Sequence, residues 1–174
     1  MLDDEAMLEA LNSTPVIDGE GRDLWSEGGD LGRWVRAHGG HGGDEERRRL
    51  RAARDAIRAA ESGEPAESRL RRVLAGVRKT PQAGASGVTW HLEVAPERRL
   101  AVELVLAWAD VKERLPGRLR LCENPECRLF LLDRSRANTA RWCSMKTCGN
   151  RLKARRHQAR VREAPEPEEG PRAG

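Results

Sequence analysis

The sequence predicts a mainly α-helical fold with a small β component, and three observations lead to that expectation. Hydrophobic residues make up 38% and charged residues 34% of the 174 residues, which indicates a modest core. Apolar residues recur at helical spacing over most of the first two-thirds of the chain. All four cysteines fall within residues 122–148, which indicates a small module distinct from the helical part.

Residues 1–117 are predicted to form one helical domain punctuated by glycine and proline. Asp30 is placed to cap a helix that ends before Gly39. The next helix opens with three acidic residues, which suit the positive end of the helix dipole. The apolar positions of this helix recur at helical spacing: Leu50, Ala53, Ile57 and Ala60. Those of a third helix do so too: Leu70, Val73, Leu74 and Val77.

One short strand near residues 87–95 and a long helix complete this domain. Val88, Trp90, Leu92 and Val94 alternate with polar residues, as expected of a half-buried strand. Residues 97–115 return to the helical period and are apolar on more than one side, which predicts the most buried helix. We assign the tryptophans to the domain core, with a ligand-pocket lining as the alternative: Trp25, Trp34, Trp90 and Trp108. The arginines of residues 47–58 are predicted to form a solvated helix face.

The cysteines follow the pattern Cys-x4-Cys, fifteen residues, Cys-x4-Cys. The chain has no apolar run of membrane-spanning length and an acidic beginning, so we expect a cytoplasmic protein with reduced thiols. In that compartment, two cysteine pairs indicate one structural Zn²⁺ held by four thiolates. Another metal or cluster and a pair of disulfides are the alternatives. The predicted metal ligands are Cys122, Cys127, Cys143 and Cys148.

The residues between the cysteine pairs predict the shape of the module. Residues 128–133 are apolar enough for a strand, residues 134–139 are polar and suit a turn, and residues 140–144 are predicted to return as a second strand. Ser144 can then cap a helix that contains Cys148. A ligand pair in a loop, a hairpin and a helix carrying the second pair describe a treble-clef type of zinc module.

Residues 118–162 resemble the CGNR zinc finger, which is named for the tetrapeptide found here at residues 148–151. The four cysteines, the LFLLDRSR and RWCSM segments and the basic segment after Cys148 carry the resemblance. The family typically has an upstream helical domain, called ABATE, and residues 11–15 and the helix after Asp30 are similar to it. The resemblance implies a stress-induced bacterial transcription regulator. Residues 163–174 are rich in Pro, Glu and Gly, and we expect a disordered tail.

Charge is segregated along the chain. Residues 1–117 carry 18 Lys or Arg against 21 Asp or Glu, residues 118–162 carry 13 against 3, and residues 163–174 carry 1 against 4. The middle segment, at +10, is therefore where a polyanion is expected to bind. Arginine dominates there, and its guanidinium binds phosphate or guanine through two hydrogen bonds. The predicted nucleic-acid contacts are Arg134, Arg136, Arg141, Arg151, Lys153, Arg155, Arg156 and Arg160.

These features favour a zinc-dependent protein that binds double-stranded DNA and regulates bacterial transcription, with an upstream domain that senses a small-molecule effector or forms a homodimer. An RNA-binding module and a protein-interaction adaptor with a purely structural zinc site are the alternatives. We do not expect an enzyme, because residues 118–162 offer His157 and three carboxylates but no paired-histidine motif for a catalytic cation. No membrane partner is expected.

Overall fold

Five α-helices and three two-stranded antiparallel sheets are found in the computed structural model, which describes residues 1–17, 19–26, 29–150 and 153–154. The helices are α1 (Asp4–Leu11), α2 (Leu31–Ala37), α3 (Asp44–Glu61), α4 (Glu67–Leu74) and α5 (Pro96–Arg114). The strands are β1 (Val16–Ile17), β2 (Glu20–Gly21), β3 (Arg78–Gly84), β4 (Gly87–Glu93), β5 (Leu119–Leu121) and β6 (Phe130–Leu132). Within the described ranges, no helix has both the length and the apolar character needed to span a bilayer.

The chain divides into two compact units, Met1–Cys143 and Ser144–Gly174. The first contains all the helices and strands named above. The second is described over residues 144–150 and 153–154, where Met145–Gly149 form a π-helical turn. The predicted fold class, mainly α with a small β component, is confirmed. The predicted disordered tail, residues 163–174, lies outside the described residues.

One hydrophobic core fills the first unit, and the predicted central helix α5 runs through it. Leu100, Leu104 and Val105 of α5 are fully or almost fully buried with Leu50 and Ile57 of α3. Helix α1 and helix α2 add further buried apolar side chains to the same cluster: Met7, Leu11, Leu31, Trp34 and Val35. Leu119 of β5 and Phe130 of β6 also belong to it, so the short hairpin next to the cysteines is anchored in the same core as the helices.

The connection between α2 and α3 depends on two glycines and a buried carboxylate. Gly39 has φ +72°, a conformation that side chains other than glycine adopt at a cost, and it ends α2 as the sequence predicts. A Cβ atom on Gly40 would lie 2.5 Å from Val35 and 2.7 Å from Leu100, so only glycine fits there. The Glu46 carboxylate accepts hydrogen bonds from the backbone N–H groups of His41 and Gly42.

Asp30 stands at the amino-terminal cap position of α2, but its side chain makes no capping hydrogen bond and pairs with Arg33 at 3.0 Å. The apolar stripe predicted for the third helix is half-buried. Helix α4 ends at Leu74, so Val77 lies beyond it. Ala60, predicted to be buried in α3, is also half-buried, and Ala59 takes the buried position.

The prediction that the arginines of residues 47–58 form a solvated face is wrong for Arg54. Its side chain is 2% exposed and forms ion pairs with Asp23 and Asp55 at 2.7 and 2.8 Å. Burial disfavours the charged guanidinium, but the hydrogen bonds to Asp23 and Asp55 outweigh it and raise the pKa of Arg54. The guanidinium also lies 5.2 Å from the ring centre of Trp25, so Arg54 holds the loop before α2 against α3.

The predicted strand near residues 87–95 is present as β4, but it is not half-buried. Strand β4 pairs with β3, which the sequence did not predict, and this ribbon leaves Val88 61% and Trp90 63% exposed. The assignment of Trp90 to the core is therefore wrong. Trp25 and Trp34 do belong to the core, whereas Trp108 is half-buried and donates its indole N–H to Glu61 at 2.9 Å.

Candidate metal centre

A short hairpin delivers the first cysteine pair. Strand β5 pairs with β6 in the register Leu119–Leu132 and Leu121–Phe130, and residues 122–129 form the connection between them. Cys122 follows β5 directly, and its N–H donates to the Leu129 carbonyl oxygen at 2.9 Å. The predicted strand over residues 128–133 is present in its central part, but its partner is β5. The predicted return strand over residues 140–144 is wrong, because those residues adopt no regular structure.

Asn124 shapes the turn from Cys122 to Cys127. It is 1% exposed, and its side-chain oxygen accepts a hydrogen bond from the Glu126 N–H at 3.3 Å. The backbone carbonyl oxygen of Asn124 accepts a hydrogen bond from the Cys127 N–H at 2.8 Å. Asparagine followed by Pro125 is a typical turn sequence, because a short amide side chain can bond the backbone two residues on. The turn brings Cys127 back toward Cys122.

The segment that ends at Cys143 lies against this turn. The Glu123 N–H donates to the Arg141 carbonyl oxygen at 2.9 Å, and the Cys143 N–H points to the Cys122 sulfur at 3.4 Å. This contact places the backbone of the second cysteine pair directly beside the sulfur of the first. The sulfur atoms of Cys127 and Cys143 are 3.6 Å apart.

The sulfur atoms of all four cysteines lie within 4.8 Å of one another. The 3.6 Å between the sulfur atoms of Cys127 and Cys143 is far longer than a disulfide bond of about 2.05 Å. Metal–sulfur bonds of about 2.3 Å in a tetrahedral site place neighbouring sulfur atoms about 3.8 Å apart. The donor set and the spacing therefore fit one tetrahedral ion. Cys122 and Cys148 are buried, whereas Cys127 and Cys143 are half-buried.

Cys148 lies in the π-helical turn of the second unit. The Gly149 N–H donates to the Ser144 carbonyl oxygen at 3.1 Å, the five-residue hydrogen bond that defines such a turn. Ser144 thus stands at the start of the helical segment, where the sequence predicts the cap. Asn150 follows, and its side-chain amide donates to the Lys146 carbonyl oxygen at 3.3 Å.

A loop over residues 133–140 extends from the hairpin and is organised by Asp133. This carboxylate is buried and accepts hydrogen bonds from the N–H groups of Ser135 and Ala140, both at 2.8 Å, and from Arg120 at 2.7 Å. The Ser135 side chain foremost, then the N–H groups of Ala140 and Ser135 and the charge of Arg120, lower the pKa of Asp133 to about 2, against the opposing effect of burial. Arg118 donates to the carbonyl oxygens of Asp133 and Ser135 at 3.0 and 2.6 Å.

This loop carries two of the predicted nucleic-acid contacts. Arg136 is exposed and forms no ion pair with the described residues. Arg134 is also exposed and lies 3.6 Å from Asp4 and 3.7 Å from Glu5 of α1. Arg141 pairs with Glu123 at 2.5 Å, and its guanidinium lies 5.5 Å from the ring centre of Trp142.

The remaining predicted contacts belong to the second unit. Lys153 is helical and exposed. The other four lie outside the described residues: Arg151, Arg155, Arg156 and Arg160.

Several residues that build the site could not be predicted from the sequence. Arg118 and Arg120 count only as charge in the sequence, yet they hold the 133–140 loop. Asn12, far away in the chain, bonds the backbone of Phe130. The Asn-Pro pair at residues 124–125 is the one local signal that could have been used.

Four clustered thiols delivered by a hairpin turn and a helical turn define a small metal-binding module of the zinc-finger class. Residues 118–161 match the family model of the CGNR zinc finger. The zinc-finger part of the predicted resemblance is thereby confirmed. The helical residues before 118 lie outside the match, so the ABATE resemblance stays a prediction. No curated protein matches the chain.

Proposed function

We propose that this protein binds double-stranded DNA through residues 118–162, organised by one structural zinc ion, and acts as a bacterial transcription regulator. The four-cysteine cluster carries the proposal, because one ion bound there would order the segment that contains Arg134, Arg136 and Arg141. Cys122, Cys127, Cys143 and Cys148 would hold the ion, and the ion would supply folding free energy rather than chemistry.

The 133–140 loop supports a phosphate-binding role. Its backbone is fixed by Asp133 and Arg118, so Arg136 is presented from a defined position. Arg134 lies beside two carboxylates of α1, the half-buried Asp4 and the exposed Glu5, at 3.6 and 3.7 Å. It can exchange these contacts for phosphate at little cost, because ion pairs of an exposed arginine contribute little. A fixed loop with exposed guanidinium groups suits the regular phosphate rows of a duplex.

The aromatic residues of this segment favour duplex DNA over single-stranded RNA. Residues 118–162 contain only Phe130 and Trp142 as aromatics. Phe130 is 1% exposed in the core, and Trp142 is half-buried beside Arg141. Readers of single-stranded RNA stack bases on exposed aromatic rings, and neither side chain offers such a ring.

The test is a titration of labelled duplex DNA with the zinc-loaded protein at several salt concentrations. If about five to eight phosphates are neutralised, the slope of log affinity against log salt is about −4.5 to −7. Arg136→Ala should make that slope shallower by about 1, whereas Arg71→Ala, an exposed arginine of α4 paired with Glu67, should leave it unchanged. Tighter binding to structured RNA, or no salt dependence, would contradict the proposal.

A further inference from the structure

A second concentration of arginines lies far from the cysteines in the sequence, around an open pocket of about 580 Å³ between α2, α3 and the loop of Trp25. Two carboxylates, Asp30 and Asp44, also line this pocket. A volume of this size suits a small metabolite. The arginines that line it are Arg33, Arg36, Arg47, Arg48 and Arg51.

Three of these arginines are already engaged. Arg33 pairs with Asp30 at 3.0 Å, and Arg48 pairs with Glu45. Arg51 donates one hydrogen bond to the Trp25 carbonyl oxygen at 2.9 Å. These three arginines are therefore held by other groups of the protein and form part of the pocket wall.

Arg36 and Arg47 form no ion pair with any carboxylate, in the part of the chain that the structure describes. Asp44 lines the same pocket but likewise pairs with no described arginine. The pocket thus holds two guanidinium charges that no described carboxylate contacts directly.

These two guanidinium groups converge on Gly32. A Cβ atom built on Gly32 would lie 3.3 Å from one terminal nitrogen of Arg47 and 3.4 Å from one of Arg36. The two nitrogens are therefore no more than 6.7 Å apart, the sum of those distances. Like charges at this separation repel each other, and an anion between them converts the repulsion into two attractions. The absence of a side chain at residue 32 leaves room for that approach.

Arg47 has a buried hydrogen-bond donor that the described residues leave unsatisfied. It is half-buried, and its buried Nε–H has no acceptor among the described residues. A partly dehydrated cation with an unpaired donor is unfavourable unless a ligand compensates it. Residues that destabilise the empty protein in this way are typical of binding sites.

We propose that this pocket binds a small organic dianion, with its phosphate or dicarboxylate group held between Arg36 and Arg47. Two planar guanidinium forks match the paired oxygens of either group. The site belongs to the first unit and does not depend on DNA binding. It gives the protein a means of responding to a phosphorylated or dicarboxylate metabolite.

The test uses the full zinc-loaded chain and measures its thermal unfolding midpoint in the presence of inorganic phosphate, succinate or acetate at constant ionic strength. A dianion that binds the folded state raises the midpoint saturably. A larger effect of phosphate identifies a phosphoryl ligand, and a larger effect of succinate identifies a dicarboxylate. If neither dianion exceeds the monoanion acetate, the proposal is wrong.

Variants separate this pocket from the arginines near the cysteines. Arg36→Gln and Arg47→Gln should each weaken dianion binding about tenfold or more, as expected for loss of one charge-assisted hydrogen bond. Without ligand, both should unfold at the same temperature as the wild type or higher, because they relieve repulsion. Arg71→Gln is the matched control and should behave as the wild type. Unchanged dianion binding in Arg36→Gln and Arg47→Gln would overturn the proposal, whatever the DNA titrations show.

Discussion

Asn12 and Phe130 are 118 positions apart in the sequence, and their hydrogen bonds join the end of α1 to β6. The Asn12 side-chain amide donates to the Phe130 carbonyl oxygen at 3.1 Å, and its side-chain oxygen accepts from the Phe130 N–H at 2.7 Å. One side chain thus takes the place of a neighbouring strand along β6. The hairpin next to the cysteines is positioned by this pair as well as by the core.

Asn12→Ala should lower the free energy of unfolding by about 1–3 kcal/mol, because it leaves two buried backbone groups of Phe130 without partners. Urea denaturation of the zinc-loaded protein measures the change. Glu9→Ala, an exposed position on the same helix, is the control and should stay within about 0.5 kcal/mol of the wild type. Equal stabilities of the two variants would show that the Asn12 bonds contribute nothing.

Arg54→Ala should cost about 3 kcal/mol or more, because it removes one partner from a buried ion-pair network and opens space beside Trp25. Arg49→Ala, on the exposed face of the same helix, breaks its pair with Glu45 and should cost less than about 1 kcal/mol. Chemical denaturation of both variants tests the contrast. A similar small effect at both positions would mean that the Arg54 network is not cooperative with folding.

Asp133→Asn should destabilise the protein, because the amide places a donor where Ala140 N–H and Arg120 already donate. The difference in the free energy of unfolding between the wild type and Asp133→Asn should also depend on pH. The folded protein holds the pKa of Asp133 at about 2, below its ordinary value of 3.8, so the carboxylate's contribution is complete above pH 3.8 and is lost as the pH falls toward 2.

Urea titrations of both proteins at about pH 7, about pH 5 and about pH 3 measure the difference. The two proteins share all four cysteines, so acid loss of the metal affects both. The difference in the free energy of unfolding between the two proteins should be equal at the two higher pH values and smaller at the lowest pH. A difference that is independent of pH would contradict the assigned pKa.

Trp90→Ala should change the free energy of unfolding by less than about 0.5 kcal/mol, because Trp90 is 63% exposed on the β3–β4 ribbon. Trp34→Ala should cost about 3–5 kcal/mol, because Trp34 is 5% exposed in the core and contacts both Trp25 and His38. Thermal or chemical denaturation compares the two. A large effect of Trp90→Ala would indicate that the ribbon packs against something in solution.

Helices were the part of the fold that the sequence predicted best. The period of Leu50, Ala53 and Ile57 and the apolar content of α5 report burial directly, because one helix face must leave water. Arg54 was misread because its charge is interleaved with exposed Arg and Asp residues. Its burial depends on Asp23, which lies outside its helix, and a single helix pattern carries no information about such a partner.

The strands were predicted less completely than the helices. The alternation of Val88 and Trp90 predicts a strand but not which surface covers it, and no described element does. Strand β3 contains Pro81 and Gly84 and lacks apolar alternation, so its pairing with β4 could not be inferred. At the cysteines, spacing alone predicted the cluster, whereas the pairing of β5 with β6 depends on the Asn124 turn and on burial of Phe130.

The most direct test of the account is the metal content of the purified protein, measured together with its unfolding before and after a strong chelator. The account predicts one zinc ion per chain, loss of that ion in Cys143→Ser, and a lower unfolding temperature once the ion is removed. Protein that contains no stoichiometric metal, and that unfolds at the same temperature with or without the chelator, would contradict it.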